Sequence, residues 1–198
     1  MPNLALERNH TGIVCGIDEA GRGPLAGPVV AAAIILPAKA IPRGINDSKK
    51  LTSEKRAELF DKLRERATIG IGIASVEEID QINILRASLL AMQRAYDAME
   101  TAATLALIDG NFPPVLGCQT QCVIKGDSIS LSIAAASIVA KVTRDRIMHE
   151  LAEAHPEYGF ERHAGYATAT HLAAIEKHGP CLHHRKSFSP IKERYEAA

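Results

Sequence analysis

Five short apolar runs, set among longer stretches of helical period, limit what this chain can fold into. Gly12–Ile17, Val29–Leu36 and Thr68–Ala74 come first; Pro37 closes the second, and in the third Ile69, Ile71 and Ile73 alternate with small residues. Thr104–Ile108 and Gln121–Ile124 follow. Runs of this length, rich in β-branched residues, read as strands. Between the second and third, Thr52 stands ahead of Glu54, Lys55 and Arg56, with apolar positions at Leu59, Phe60 and Leu63, which marks a helix start. Val76–Glu100 carries Leu85, Leu89, Met92 and Tyr96 at helical spacing, with a break expected near Asn83. Ile129–His155 reads as a long helix, rich in small residues at first and charged later. Ala167–His178 reads as another, with Leu172 and Ile175 inward and Gly179-Pro180 as its stop. Strands that alternate with helices in this order predict an α/β domain with a mixed sheet. The expected division is a core over residues 1–155 and a helical extension over 156–198, packed on that core.

A chain of 198 residues suits one domain, and 46% hydrophobic residues exclude a disordered chain. Lys plus Arg and Asp plus Glu number 23 each. That balance argues neither for nor against nucleic acid, because one face can be basic while the rest is acidic. Cys15, Cys118, Cys122 and Cys181 form no C-x-x-C pair, so free thiols in a reducing compartment are expected. The opening MPNLALERNHTG lacks the pattern of a secretory signal, and no apolar run reaches spanning length without charges or prolines. The expected location is the cytoplasm, with no membrane contact.

Three acidic positions share one context. Asp18-Glu19 follows the first strand, Asp109 ends the fourth ahead of Gly110-Asn111, and Asp127 follows the fifth after Lys125-Gly126. Functional groups of α/β sheets gather where strands end and loops begin. A carboxylate there is costly unless paired or metal-bound. Any one of these acids alone fits a turn cap equally well. Together they suggest a hard-oxygen site for two divalent cations, Mg²⁺ or Mn²⁺, suited to hydrolysing a phosphodiester with activated water. Gly21-Arg22-Gly23-Pro24 comes directly after the first pair. Its glycines let backbone approach a ligand closely, although a tight turn with a solvated Arg22 is the plainer reading. It is not a dinucleotide fingerprint, since Ala26 stands where a third glycine is required.

The run Gly16 to Val29 (GIDEAGRGPLAGPV) resembles the opening motif of the bacterial ribonuclease HII family. Further blocks in the same order are similar to that family: Asn46–Leu51 (NDSKKL), Asp80–Leu85 (DQINIL), Ile108–Asn111 (IDGN), Lys125–Ser128 (KGDS), Ala135–Asp145, Tyr158-Gly159-Phe160, Gly165-Tyr166 and His184–Phe188 (HRKSF). They span residues 12 to 192, nearly the whole chain. The resemblance implies a ribonuclease H-like fold, a five-stranded mixed sheet flanked by helices. It implies Asp18, Glu19, Asp109 and Asp127 as catalytic, metal-holding carboxylates. It further implies that Gly21, Arg22 and Gly23 read a ribonucleotide 2′-hydroxyl through backbone groups, and that Tyr166 senses the step from RNA to DNA. Lys49, Asn83, Lys141 and Arg144 are the remaining substrate-binding candidates. The implied substrates are RNA–DNA hybrids and duplex DNA holding a ribonucleotide, with cleavage on the ribonucleotide's 5′ side to leave 3′-hydroxyl and 5′-phosphate ends. The extension is expected to help bind them. A monomer is expected; a replication clamp is left open as a partner, and the sequence does not show it. Ala167 departs from the proline that often follows the Gly-Tyr pair, and the apolar stretch Ile129–Ala136 leaves Asp127 as the evident fourth acid.

Lys50, Arg146, Arg185 and Lys186 are further candidates for phosphate contact, with Arg185-Lys186 expected to grip a duplex backbone. His183 and His184 are expected on the surface, and His163 and His171 as ordinary polar residues, because no ligand partners stand at zinc spacing. Ala134–Ala136 and Ser137 read as close helix packing. Two other activities compete: a different metal nuclease or transposase-like enzyme on the same fold, and a non-enzymatic nucleic-acid binder. The first has no use for a 2′-hydroxyl reader, and the second has none for four carboxylates that repel phosphate.

Overall fold

The computed structural model describes residues 1–196 and the side chains of residues 1–193. Its elements are α1 (Ala5–Arg8), β1 (Val14–Ala20), β2 (Val29–Ile35), α2 (Ser53–Arg66), β3 (Thr68–Ala74), α3 (Val76–Asp97), β4 (Leu105–Asp109), β5 (Gln119–Val123), α4 (Leu131–Ala154), α5 (Phe160–His163), α6 (Ala169–His178) and α7 (Ile191–Glu196). The five strands form one mixed sheet in the order β3-β2-β1-β4-β5. β1 runs antiparallel to β2, and β2 to β3. β4 runs parallel to both β1 and β5.

The central strands are apolar throughout because both faces are covered. Val29 through Ile34 are fully buried. On one face Ile17, Ala31 and Ala33 pack with Ala91, Met92 and Ala95 of α3. On the other, Ala32 and Ile34 pack with Leu59, Phe60 and Leu63 of α2 and with Ala134–Ala136, Ile138 and Val139 of α4. The small residues foreseen in α4 let backbones approach. A Cβ placed on Gly16 of β1 would lie 2.2 Å from the Ser132 carbonyl carbon. α3 approaches β3 as closely: a Cβ on Gly72 would lie 2.1 Å from the Ala91 oxygen. The Asn83 break is real, at φ 66° and ψ 165° inside α3.

Several boundaries differ from those expected. β1 continues to Ala20, so Asp18 and Glu19 lie within the strand rather than after it; pairing with β2 persists through Asp18–Ala32, Glu19–Ala31 and Ala20–Val30. β5 is shifted toward its N-terminus and leaves Ile124 67% exposed, because pairing with β4, not apolar character, defines this polar edge strand. In α6, Ile175 is buried as expected but Leu172 is exposed; His171, four residues before Ile175, takes the inward face instead. Beyond Pro156 the chain packs through Tyr158, Phe160, Ile175 and Ile191 onto Leu25 and Ala26 of the β1–β2 loop and Met148 of α4. Among the described residues no helix is long and apolar enough to cross a membrane.

Candidate functional site

β1 and β4 are adjacent and parallel, with Ile17 level with Ile108. One residue further along each strand stand Asp18 and Asp109, so the sheet itself delivers two carboxylates side by side. Asp18 is 5% exposed, and its Oδ1 accepts the Glu19 amide at 2.7 Å. Asp109 Oδ1 accepts the Gly126 amide at 2.6 Å. That approach needs a glycine: a Cβ on residue 126 would sit 2.5 Å from Ile133 Cδ1 and 3.3 Å from the carboxylate oxygen. Lys125 takes a left-handed conformation (φ 56°, ψ 41°) and starts a 3₁₀ turn over Gly126–Ser128 that turns Asp127 inward. Lys49 Nζ lies 3.8 Å from Asp127 Oδ2.

These acids disfavour one another's charge. Burial, with the charges of Glu19, Asp109 and Asp127, holds the Asp18 carboxyl well above the usual range. Burial also raises Glu19, aided by Asp109 and opposed by Arg22, whose Nη1 is 3.3 Å from Glu19 Oε1. Asp127 is raised by burial and by Asp47 and Asp109. Burial works against the Lys49 ammonium, yet Asp127, Asp47, Asp18 and Asp109 together outweigh it and raise its pKa. The second oxygen of Glu19, Oε2, is buried with no hydrogen-bond partner. Among the described residues, no three acids, histidines or cysteines already converge at ligand spacing. An unpartnered oxygen and mutually repelling hard-oxygen donors nevertheless fit divalent cations, which would relieve the repulsion and occupy that oxygen.

Three of the four acids open on a cleft of about 250 Å³ whose walls include Asp18, Glu19, Gly21–Gly23, Ser48, Lys49, Asp109, Ser137, Lys141 and Tyr166; Asp127 lies outside its lining. A larger depression of about 770 Å³, between His10 and Gln119, holds none of the four carboxylates. Tyr166 is 49% exposed, and its ring edge lies over Gly23, where a Cβ would be 3.6 Å from Cε1. Its loop is locked onto the glycine turn: Gly165 (φ 81°) accepts the Leu25 amide at 2.8 Å, and a Cβ on it would meet the Ala26 oxygen at 2.6 Å. Lys141 lines the cleft and ion-pairs with Asp145 at 2.5 Å.

Three expectations are corrected. Arg144 is no free phosphate ligand: it is 1% exposed and donates to the carbonyls of Pro28, Ala164 and Ala26, each at 3.0 Å. Arg185, expected to grip a duplex, is fully buried and donates to Gly21 at 2.5 Å, Arg22 at 2.9 Å and Gly27 at 2.9 and 3.0 Å. Loop carbonyls have no strand partners, and a guanidinium fork satisfies several at once. Burial lowers Arg144 to about 10 and Arg185 to about 9, still above neutral, so both stay charged. His184 is fully buried rather than on the surface, as is His171, because each ring nitrogen has a partner. Asn83 is not among the cleft residues; its Oδ1 caps the second half of α3 by accepting the Leu85 and Arg86 amides at 3.0 and 3.2 Å.

The sequence reading overlooked Asp47, whose carboxylate faces Asp127 and accepts the Lys49 amide at 3.0 Å. Its position one residue before a Ser-Lys-Lys turn is a capping signal that points to it. Ser48 was also passed over, and Ser137 was read only as close helix packing; their hydroxyls, 2.7 Å apart and buried, tie that loop to α4.

A five-stranded mixed sheet in this order, carrying carboxylates on its adjacent parallel strands β1 and β4, defines a nuclease of the ribonuclease H-like class. The family model described as "Ribonuclease HII" matches residues 15–191. A protein named "Ribonuclease HII" from Paramagnetospirillum magneticum (strain ATCC 700264 / AMB-1) is 58% identical over 197 residues, 98% of this chain and 98% of that one. The chain belongs to the ribonuclease HII family and is a hydrolytic endoribonuclease. The crystal structure of the ribonuclease H2 from Pyrococcus horikoshii OT3 superposes with a TM-score of 0.77 at 26% identity, covering 93% of this chain and 97% of that one. The crystal structure of Bst-RNase HIII in complex with Mn²⁺ shares the fold at a TM-score of 0.77 and 20% identity, covering 98% of this chain and 73% of that one.

Proposed function

We propose that this chain hydrolyses the RNA strand of RNA–DNA hybrids and cuts on the 5′ side of single ribonucleotides in duplex DNA, leaving 3′-hydroxyl and 5′-phosphate ends. The observation that carries this reading is that the Gly21–Gly23 turn, the Tyr166 ring and the carboxylates Asp18, Glu19 and Asp109 share one cleft. A 2′-hydroxyl separates RNA from DNA at a single position. Backbone N–H and C=O groups of a glycine turn can donate to it and accept from it at close range. Tyr166, stacked over the turn, favours a deoxyribose on the 3′ side, where no 2′-hydroxyl obstructs the ring. Asp18, Glu19, Asp109 and Asp127 are the residues that would hold two divalent cations, Mg²⁺ or Mn²⁺. When bound, these ions supply Lewis acidity toward the scissile phosphodiester and its attacking water. Lys49 and Lys141 face the phosphates beside the acids, and Arg22 steadies Glu19. Residues 156–198 act as an extension of the core that completes the substrate cleft. The protein works as a monomer, in the cytoplasm, a compartment that its four free cysteines fit.

The test offers all-DNA duplex, the same duplex with one ribonucleotide, and a full hybrid, with and without Mg²⁺, and maps the ends. Cleavage of the second and third substrates only, 5′ of the ribonucleotide and Mg²⁺-dependent, is expected. Cutting of the all-DNA duplex, or a 2′,3′-cyclic phosphate product, would overturn the reading.

A further inference from the structure

The loop that presents Tyr166 has nearly all its backbone groups tied. The Ala164, Gly165 and Tyr166 amides donate to the Phe160 carbonyl, His163 Nδ1 and the His163 carbonyl. The Ala164 and Gly165 carbonyls accept from Arg144 and Leu25. The Tyr166 carbonyl accepts from the Thr168 amide at 2.8 Å and from the ring of His171, whose Nδ1 is 2.9 Å away. His171 Nε2 in turn lies 3.0 Å from His184 Nε2, and His184 Nδ1 lies 3.0 Å from the Cys181 amide nitrogen.

Only one arrangement of protons fits these contacts. A carbonyl can only accept, so His171 must carry its proton on Nδ1 and offer a bare Nε2. His184 must then carry its proton on Nε2 and accept the Cys181 amide on Nδ1. Both rings are neutral in this arrangement, and burial, which lowers both to about 4, agrees. Each ring fixes the other's tautomer. The pair is sealed by Phe160 and by His163, stacked on His171 at 4.4 Å.

We infer that His171 and His184 are paired positioning residues, which hold the Tyr166 backbone so that its ring stays over Gly23 and discriminates the sugar beside the scissile ribonucleotide. This rests on the reading of Tyr166 given above. Neither ring lines the cleft, so both act through Tyr166 and not on substrate.

Long-range ¹H–¹⁵N spectra of the native protein at neutral pH read the tautomers directly. Nδ1–H for His171 and Nε2–H for His184 are expected; the reverse pattern, or a charged ring, overturns the relay. Cleavage is then compared on a single-ribonucleotide duplex and a continuous hybrid. His171→Leu should lower the ratio of the two rates about ten- to a hundredfold, as a misplaced contact does. His171→Asn, which keeps a donor near the place of Nδ1, should hold the ratio near the native value. If His171→Leu does not fold, His184→Leu takes its place against His184→Gln, which keeps the donor to His171. Tyr166→Ala is run alongside. An unchanged ratio in Tyr166→Ala overturns the reading of Tyr166; a fall there with none in the leucine variants overturns the positioning role alone.

Discussion

Asp18 is the residue on which the site's electrostatics turn. Its folded pKa is raised, so its ionisation opposes folding. The folded state is at no disadvantage below the ordinary aspartate value of about 3.9 and loses stability as pH rises from there through the raised value. Asp18→Asn should therefore melt higher than the wild type at pH 7 without divalent ions, with the gap closing toward pH 4. It should also lose the rise in melting temperature that Mg²⁺ gives the wild type. A variant that melts lower would overturn the destabilising charge on Asp18, and one that keeps the Mg²⁺ response would remove Asp18 from the metal set. Glu19→Gln and Asp109→Asn should lose Mg²⁺-dependent cleavage by more than about a hundredfold while circular dichroism stays native, since even outer partners of a metal site are worth about 10–100-fold. Near-normal turnover in either folded variant would count against the site. Arg185→Lys tests the buried fork. One ammonium cannot reach the Gly21, Arg22 and Gly27 carbonyls together, so hybrid cleavage should fall while helix content holds; full activity would show that the turn needs no such anchor.

At the scale of elements, the sequence made plain what periodicity and caps encode. β3 was legible to the residue, the Asn83 break showed as an interruption in a long helical pattern, and small residues announced the close packing of α4. What it hid depends on partners distant along the chain. The strand state of Asp18 and Glu19 comes from β2, the bounds of β5 come from β4, and the burial of Arg144, Arg185 and His184 comes from loop carbonyls and a second histidine. A run of basic residues and histidines looks the same in sequence whether it faces water or a buried loop. The acids near one another were legible in sequence as carboxylates close to strand ends, while Asp47 was read only as part of a basic loop. Close packing is itself testable. Gly16→Ala forces a methyl against the α4 backbone, where no side chain can swing aside. It should destabilise the protein by roughly 1–3 kcal/mol or more in urea titrations. An unchanged midpoint would mean that β1 and α4 stand further apart.

For the molecule as a whole, 23 basic and 23 acidic residues balance. Lys141 belongs both to the cleft and to an adjoining groove of about 480 Å³ whose walls carry Arg56, Arg146, His149 and Arg162 alongside Asp145 and Glu161. Binding of a hybrid to the Asp109→Asn protein should weaken with a log–log salt slope of about −3 or steeper, as for several phosphate contacts; a flat response would reject a basic track. The buried Arg185 has a consequence for the order in which the working enzyme is made. A nascent chain presents Asp18, Glu19, Asp109 and Asp127 well before the anchor for Gly21 exists, since that bond joins positions 164 residues apart. The anchor of that turn is therefore synthesised after all four acids. A chain that stops short of residue 185 lacks that anchor together with Phe188 and Ile191, which pack against the core.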